Sequence, residues 1–380
     1  MILIFIGTVF IFLLIYPYLI YPALIKLLSK YNGPDFEFSN DPPSDFSLLF
    51  CAYNEEASLK NKINNLKEIK SNYPNCEILA YSDASDDKTS EILTRSEVVD
   101  TVIVSDKRQG KAYGMSKLVA KSSNSILIFT DANVTVEPHY IVNLLNYFGD
   151  KSVGTVACRL EYLSPDSSGT SVTADVGGMY WRLEEQIKKY ESLTGNTMGA
   201  DGSMFATRAS LYPEVPRHLL DDLIASITPI FSGFRVISAD DVICNEELTS
   251  DSRDEFRRKK RIACRAFETN CYLWPSLRKM SYLDLFKYIS HKLIRWFGIY
   301  FLLLGSVFFC LGMISVLGVG TVLILGAFGA AVIIIGLVVE STWCATLIEI
   351  LLSLSATGLG VFESILGKRY VTWTPPSSRN

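Results

Sequence analysis

The residues with the clearest potential for chemistry are Asp131 and Asn133, which directly follow the apolar run 126–129. A carboxylate and a carboxamide at this spacing offer the oxygen ligands that Mg²⁺ and Mn²⁺ prefer. Ligands of α/β proteins bind beyond the carboxyl ends of buried strands, and the two residues stand at such a position. The spacing therefore predicts a divalent-cation site, with a simple turn as the alternative, because Asp and Asn also favour turns.

Asp83 ends a second apolar run, 77–82, and is predicted to accept hydrogen bonds from the base or ribose of a nucleotide. The nearby Asp86, Asp87 and Thr89 are interpreted instead as the N-terminal cap of the next helix. Two neighbouring strand ends thus offer acidic groups at one edge of the predicted sheet.

Residues 106–111 combine basic side chains with Gly110, which precedes a predicted helix. Backbone N–H groups and cations at a helix N-terminus suit a diphosphate. A loop with Lys107, Arg108 and Lys111 is also compatible with a solvated basic patch, so these basic residues alone do not identify a diphosphate site.

The elements that must position these residues alternate between buried strands and amphipathic helices from residue 40 to 275. Such alternation predicts an α/β domain with a mostly parallel sheet covered on both faces. A polar helix around 180–193 carries Glu184, Glu185 and Glu191, which we expect to face solvent without a chemical role. The predicted strands are 47–52, 77–82, 101–104, 125–130, 153–160 and 203–208, and the predicted helices are 55–69, 88–95, 111–121, 138–148 and one that begins near Leu219.

The chain has 380 residues, of which 49% are hydrophobic, and its mean hydropathy of +0.23 is high for a soluble protein. Residues 1–28 are predicted to form a transmembrane anchor, because no charge occurs between residue 2 and Lys26 and about 20 apolar residues span a bilayer. A cleaved signal peptide is the alternative, although no basic region precedes the run. A polar linker, 32–43, follows the anchor.

Two further apolar segments lie near the end of the chain. Residues 299–339 are interrupted at 318–320 and predict a transmembrane hairpin. The preceding residues 276–298 are predicted to be a basic amphipathic juxtamembrane segment, and residues 341–380 an interfacial helix with a C-terminal tail, since Glu349 and Glu363 interrupt the apolar run. Lys and Arg cluster beside these segments, so the positive-inside rule places the middle domain in the cytosol.

The composition argues against several functions. A net charge of −4 disfavours nucleic acid as a partner. The eight cysteines form no C-x-x-C pair and indicate reduced thiols rather than a disulfide framework or a zinc site. Three histidines are too few for a histidine-based metal centre.

The order of the motifs resembles that of the family 2 glycosyltransferases with the GT-A fold, over residues 40–275. The flanks at 290–296 and 373–379 are similar to those of membrane-bound bacterial members that build exopolysaccharide. The motifs that carry the resemblance are AYNEE (52–56), SDAS (82–85), GK (110–111), TDAN (130–133), GSMFATR (202–208), DD (221–222) and RRKKR (257–261).

The resemblance implies a role for each matched residue. Asp131 and Asn133 would hold Mg²⁺ or Mn²⁺ against the diphosphate of a nucleotide sugar. Asp222 would take the proton from the acceptor hydroxyl, although Asp221 and Asp222 could also simply begin a helix. Donor binding would fall to Ala52, Tyr53, Glu55, Asp83, Lys111, Asp131, Arg258 and Arg261, and the acceptor side to Asp201, Gly202 and Asp221.

The family's processive synthases carry Gln-x-x-Arg-Trp where this chain has Arg258 to Ile262, so the tryptophan that underlies the acceptor sugar is absent. The resemblance therefore implies a membrane-anchored inverting glycosyltransferase of the bacterial plasma (inner) membrane. It would move a sugar from a nucleotide sugar, UDP-linked by preference, to a lipid-linked or growing glycan acceptor among the membrane lipids. A processive polysaccharide synthase and a non-catalytic scaffold with a retained nucleotide-binding core are the alternatives.

Overall fold

The computed structural model describes residues 1–30, 43–163, 172–247, 251–339 and 341–375. Nearly all of the predicted linker 32–43 and the end of the tail lie outside the described residues. The helices are α1 Ile2–Ser29, α2 Glu56–Asn72, α3 Thr89–Arg95, α4 Lys111–Val119, α5 Pro138–Asn146, α6 Val172–Leu193, α7 Asp221–Phe231, α8 Ser252–Leu277, α9 Tyr282–Tyr288, α10 Gly298–Leu317, α11 Val319–Val338 and α12 Thr342–Ile365. The strands are β1 Ser47–Ala52, β2 Glu77–Ser82, β3 Thr101–Val104, β4 Ile126–Asp131, β5 Thr135–Val136, β6 Val153–Leu163, β7 Met204–Arg208 and β8 Arg235–Glu247.

These strands form one sheet in the order β3-β2-β1-β4-β7-β6-β8-β5. The block from β3 to β4 is parallel, β7 runs antiparallel to β4 and β6, and β6 is parallel to β8. Strand β5 pairs antiparallel with β8 at the edge. The predicted α/β class is confirmed, and each predicted strand has its counterpart in this sheet.

The central strands β1 and β4 show why the apolar runs in the sequence predict the sheet. Their sequences are SLLFCA and ILIFTD, and all residues of β1 and the first five of β4 are buried. Strands of a parallel sheet are covered on both faces, so they are continuously apolar rather than alternating. A polar residue such as Asp131 appears only where the strand leaves the core.

Strand β1 lies between β2 and β4, so the chain passes to one side of β1 and later returns on its other side. This reversal of strand order leaves a crevice beyond the carboxyl ends of β1 and β4, where open α/β sheets bind their ligands. The topology therefore brings the ends of β1, β2 and β4 to the same edge of the sheet, as the sequence analysis anticipates.

Four helical stretches of the described chain are long and apolar enough to span a membrane: α1, residues 282–317, residues 319–336 and α12. The first three correspond to the predicted anchor and hairpin, with the break at Gly318 between α10 and α11. Helix α12 is also long and apolar enough to span a membrane, so the described residues contain one candidate span more than the three predicted from the sequence. The interfacial placement of residues 341–366 stays a prediction.

The anchor α1 packs antiparallel against α10 along buried glycines at 298, 305 and 312 of α10. A Cβ on Gly312 would lie 2.8 Å from the backbone nitrogen of Ile4, and a Cβ on Gly305 would lie 2.9 Å from the side chain of Ile11. Small residues let helices in a membrane approach closely, because nothing else drives their association there as strongly as close packing. The two ends of the chain are thereby joined.

Helix α12 lies along the basic helix α8. Lys259 Nζ donates to Ser353 Oγ at 2.7 Å, and Lys260 Nζ donates to Glu363 Oε1 at 3.1 Å. A Cβ on Gly360 would lie 2.3 Å from the Lys260 carbonyl oxygen. Some cations of the 257–261 run therefore bind α12.

The expectation that the acidic residues of the polar helix near 180–193 face solvent is wrong. In α6, Glu184 is 5% exposed and Glu191 is fully buried, and Glu185 pairs with Lys188, which is 1% exposed. Glu184 and Glu191 both contact His291 of the juxtamembrane segment, far away in sequence. Helical periodicity shows a polar face but cannot show that another charged element covers it.

Candidate active site

Residues from separate elements converge at the crevice. They are Asp131 at the end of β4, Lys111 at the start of α4, Gly202 before β7 and Asp222 in the first turn of α7. The Lys111 Nζ donates to Asp131 Oδ1 at 2.5 Å and lies 3.5 Å from the Gly202 carbonyl oxygen. A Cβ on Gly202 would lie 2.9 Å from Asp222 Oδ2 and 3.1 Å from Lys111 Nζ. Asp131 and Asp222 therefore share one pocket, and a side chain at position 202 would displace Asp222 or Lys111.

The backbone fixes the partners of this cluster. The Asp131 N–H donates to the Ser203 carbonyl at 3.2 Å, which continues the pairing of β4 with β7 past the end of the strand. Gly110 has φ of +88°, a left-handed conformation that glycine adopts without strain, and the helix that carries Lys111 begins directly after it. The lysine is thus delivered by a turn that the sequence marks with its glycine.

Acidic groups dominate the electrostatics of the pocket. Burial raises the pKa of Asp131, although Lys111 opposes that shift. Burial also opposes the charge on Lys111, but Asp131, followed by Asp221 and Asp222, raises the pKa of the lysine above its ordinary value. The ammonium group therefore stays charged among several carboxylates, which is a pocket prepared for cations.

The predicted metal ligands, Asp131 and Asn133, fit a cation that is coordinated jointly by the protein and by a bound substrate. Asn133 Nδ2 donates to Glu246 Oε1 at 2.9 Å, and the Asp131 side chain is 34% exposed. The described part of the chain contains no group of three or more His, Cys, Asp or Glu side chains that could hold a metal. Mg²⁺ is often bound by one or two carboxylates together with phosphate oxygens, and Asp131 fits that mode.

Asp221 and Asp222 begin α7, which is the alternative role given in the sequence analysis, and Asp222 also faces the pocket. Asp222 Oδ1 accepts the Leu223 N–H at 2.8 Å, while its other oxygen is the one beside Gly202. Burial, reinforced by the charge of Asp221, raises the pKa of Asp222 to about 6. Asp221 is instead turned toward Arg265, with an N···O distance of 3.5 Å.

Arg258 and Arg261, one turn apart on α8, differ in their partners. Arg258 forms a bidentate pair with Glu255, with distances of 2.8 and 3.1 Å, and this carboxylate raises the pKa of the arginine. The guanidinium of Arg258, which was predicted to bind a diphosphate, is therefore occupied by an intrahelical ion pair. Arg261 forms no ion pair within the described residues, and burial together with Arg265 and Arg258 lowers its pKa to about 10, while Asp131 and Asp221 oppose that shift. Arg261 remains available to an anion.

Asp83 does not present a free carboxylate to the crevice, which corrects the assignment of this residue to a ligand. It is fully buried and accepts hydrogen bonds from the Gln109 N–H at 2.7 Å, the Gly110 N–H at 3.0 Å and Arg108 Nε at 3.0 Å. Both oxygens are thus used to fold the loop before α4. The position of Asp83 after a strand correctly predicted that it lies at this edge of the sheet. That position did not reveal that backbone N–H groups bind its carboxylate.

Arg108 links this loop to the C-terminal segment, which we define as residues 367–375. Its guanidinium carbon lies 3.2 Å from the ring centroid of Tyr53 and 5.5 Å from that of Trp373. Arg108 Nη2 also donates a hydrogen bond to the Trp373 carbonyl oxygen. A Cβ on Gly110 would lie 2.2 Å from the Val371 carbonyl oxygen. The C-terminal segment therefore covers the part of the crevice next to Asp83.

The remaining donor-side residues lie around the end of β1. The Ala52 carbonyl accepts the Asp83 N–H at 3.0 Å, and Tyr53 Oη donates to Asp86 Oδ2 at 3.3 Å. Glu55 is buried, and its N–H donates to Thr89 Oγ1 at 2.9 Å. The turn after β1 and the beginning of α3 therefore support each other across the crevice.

On the acceptor side, Asp201 is bound by Lys188 of α6, with a distance of 2.8 Å from Nζ to Oδ2. Sequence reasoning missed Lys188, because it lies on the helix that was expected to be solvated. It also missed Arg265, although the spacing of four residues from Arg261 places both on one face of α8. That spacing is the signal that could have revealed it.

Comparisons with known proteins agree with this geometry. Residues 47–215 match the family model described as "Glycosyl transferase family 2". This part of the chain is therefore similar to the glycosyltransferases of family 2, and the sheet and its crevice display the GT-A fold. A comparison with curated proteins finds no match.

A solved structure shares the fold over nearly the whole chain. The mannosyltransferase PcManGT from Pyrobaculum calidifontis, in complex with GDP-Man and Mn²⁺, is 18% identical, with a TM-score of 0.68 over 96% of this chain and 99% of that one. The mannosyl-3-phosphoglycerate synthase from Rubrobacter xylanophilus is 13% identical, with a TM-score of 0.42 over 67% of this chain and 84% of that one. The likeness to PcManGT thus extends to the flanking helices.

Arg108→Ala tests the cover over the crevice. We expect trypsin to cleave after Arg369 about five to ten times faster, because losing a charged hydrogen bond and a stacking contact costs roughly 1–1.4 kcal/mol. Mass spectrometry of a digestion time course in detergent measures the rate. Arg217→Ala is the matched control, since Arg217 stacks on Tyr113 without touching the segment. Equal rates in parent and Arg108→Ala would show that other contacts hold the segment.

Proposed function

We propose that the protein is a membrane-anchored inverting glycosyltransferase that transfers a sugar from a nucleotide sugar to a lipid-linked or growing glycan acceptor. The observation that carries the proposal is the meeting of Asp131, Lys111, Gly202 and Asp222 in one crevice of a GT-A sheet. Such a site brings a carboxylate that would bind a cation and a candidate base into the same crevice, where a sugar would lie.

The donor would lie along the ends of β1 and β4, with its diphosphate toward Asp131 and the unpaired Arg261. A divalent ion held by Asp131 and Asn133 would neutralise the charge that develops on the leaving diphosphate. Lys111 is placed to balance the same charge, because its ammonium group already contacts Asp131. UDP sugars are the first donors to test, and GDP sugars the second, since PcManGT was solved with GDP-Man.

Asp222 would act as the base. An inverting displacement needs a proton acceptor on the face opposite the leaving group, and one carboxylate oxygen of Asp222 faces the open position at Gly202. A pKa raised to about 6 leaves the group ionised at neutral pH and still basic enough to accept a proton. Arg265 holds Asp221 aside, so only one of the two carboxylates is free for this task.

The acceptor would approach from the membrane. We propose that residues 1–28 anchor the protein, that 40–275 form the catalytic domain on the cytosolic side of a bacterial inner membrane, and that 276–298, 299–339 and 341–380 hold it at the surface. The four apolar helices and the basic residues beside them support this arrangement. Ile262, in place of the tryptophan of processive synthases, supports single transfers over polymerisation.

Asp222→Asn is expected to lower the turnover of a nucleotide sugar at least about 100-fold, because a positioned base contributes 10² to 10⁴ to the rate. The assay follows release of nucleoside diphosphate with Mn²⁺ in detergent. Asp254→Asn, the same change on an acidic residue of the first turn of α8, serves as the control and should keep parental activity. If neither the parent nor any variant turns over a UDP or GDP sugar, the protein is a scaffold.

The pH profile provides a second test of the base. Activity should fall on the acidic side with a midpoint near pH 6, because protonated Asp222 cannot accept a proton. Asp221→Asn should move this midpoint to lower pH, since removing a neighbouring negative charge favours the ionised form of Asp222. His218→Gln removes an imidazole whose pKa burial lowers from its ordinary value, and this change should leave the midpoint unchanged. A midpoint that follows His218 instead would contradict the assignment.

Asp131→Asn addresses the metal through binding alone. We expect UDP or GDP with Mn²⁺ to raise the melting temperature of the parent, because a ligand that binds only the native state stabilises it. The Mn²⁺-dependent part of the shift should disappear in Asp131→Asn and persist in Asp106→Asn, the same change at an exposed position in the loop before α4. A full shift in Asp131→Asn would remove this residue from the metal site.

A further inference from the structure

Helix α6 and the connection that leads from it to β7, residues 194–203, contain a series of buried polar contacts that the proposed reaction does not use. The connection ends in Gly202, the residue beside Asp222. The helix itself lies between this connection and the juxtamembrane segment. Charged side chains of α6 face both, although buried charges are rare unless they are paired.

At the active-site end, Lys188 fixes the turn that carries Gly202. Its Nζ donates to Asp201 Oδ2 at 2.8 Å, to Glu185 Oε1 at 2.7 Å and to the Cys158 carbonyl at 3.3 Å. The other oxygen of Asp201 accepts hydrogen bonds from the N–H and the hydroxyl of Ser203. The position of Gly202, and with it the space in front of Asp222, therefore depends on a side chain of α6.

At the membrane end, the same helix is held by the anchor and by the segment before α10. Glu191 Oε1 accepts the Tyr21 hydroxyl at 2.5 Å and contacts His291 Nδ1 at 2.9 Å. Glu184 contacts His291 Nε2 at 2.9 Å and also pairs with Lys292 and Arg295. These cations hold the pKa of Glu184 well below its usual range, against the effect of burial.

The connection between the two ends is held at intermediate points. Glu191 Oε2 accepts the Met198 N–H at 3.0 Å, and Lys287 Nζ donates to the carbonyl oxygens of Thr194 and Asn196 at 3.0 Å each. The Ala200 N–H donates to Ser226 Oγ of α7 at 2.8 Å. The connection that ends at Gly202 is therefore held by the juxtamembrane segment, by α6 and by α7.

We propose that α6 is a positioning element, which sets the acceptor side of the active site according to how the domain is seated on its membrane helices. Lys188, Glu184 and Glu191 are the positioning residues, with Tyr21 and His291 as their membrane-side partners. The inference rests on the proposed function and adds the route by which the anchors act on the reaction. The donor side is built on β1 and β4, and the route meets it at the turn of Gly202 and Ser203, beside Lys111 and Asp131.

The expected consequence is a separation of two activities. Hydrolysis of the donor by water requires the donor side, and water needs no alignment with the membrane. Transfer to a membrane acceptor requires its hydroxyl to meet Asp222, and a misplacement of about 1 Å can cost a large factor in rate. Loosening α6 should therefore lower transfer more than hydrolysis.

Tyr21→Phe is the membrane-side test, because it removes one hydroxyl from Glu191 and keeps the ring. Membrane vesicles that contain the full-length protein receive a radiolabelled UDP or GDP sugar that the parent turns over. Label in lipid or polymer measures transfer, and label released as free sugar measures hydrolysis. We expect the ratio of transfer to hydrolysis to fall about three-fold, the size of effect of one hydrogen bond. Tyr16→Phe is the matched control, because its hydroxyl contacts Ser290 at 2.9 Å and not α6.

Lys188→Met combined with Glu185→Gln is the active-site test. The pair is changed together so that no carboxylate of Glu185 is left buried beside a methionine, and Glu185→Gln alone is its control. We expect the ratio to fall about ten-fold or more in the double variant and to stay at the parental value in the control. Tyr21→Phe added to the double variant should then have little further effect, because both changes loosen one element.

An unchanged ratio in both test variants, or a parallel fall of transfer and hydrolysis, would overturn the inference. If the double variant does not fold, Tyr21→Phe and Tyr16→Phe still decide it. A parent without turnover of any nucleotide sugar would contradict the proposed function itself, so the two failures are distinguishable.

Discussion

The contact between Lys111 and Asp131 is the interaction on which the site depends. The carboxylates of Asp131 and Asp222 lie where burial disfavours their charge, and the ammonium group of Lys111 lies beside them. Removing it would leave uncompensated negative charge in a partly dry crevice, which is costly. The turn at Gly110, the bonds from Asp83 to that turn and the close approach of Gly202 all serve to keep this one cation in place.

A second theme is that charged residues connect parts of the protein that are distant in sequence. Arg108 joins the loop before α4 to the C-terminal segment, and Glu184 joins α6 to the segment before α10. Lys260 joins α8 to α12. The domain and its membrane helices are therefore tied by paired charges shielded from water, which salt screens less than it screens surface pairs.

The sequence predicted the sheet, its class and the strand ends well, because continuous apolar runs such as 126–129 have few alternative structures. The order of the motifs also predicted that Asp131, Lys111 and Asp222 belong to one site. The sequence failed for Asp83, Arg258 and α6, where the partner decides the role. Whether a carboxylate meets a ligand, a backbone N–H or an arginine depends on long-range packing, which no local pattern contains.

Arg108 and Gly110 leave the ribosome long before Val371 and Trp373, the residues that contact them. The crevice must therefore stay uncovered until α12 has been made and has packed beside α8. A product cut short before residue 371 would carry an unfinished site, so the order of synthesis acts as a check on assembly.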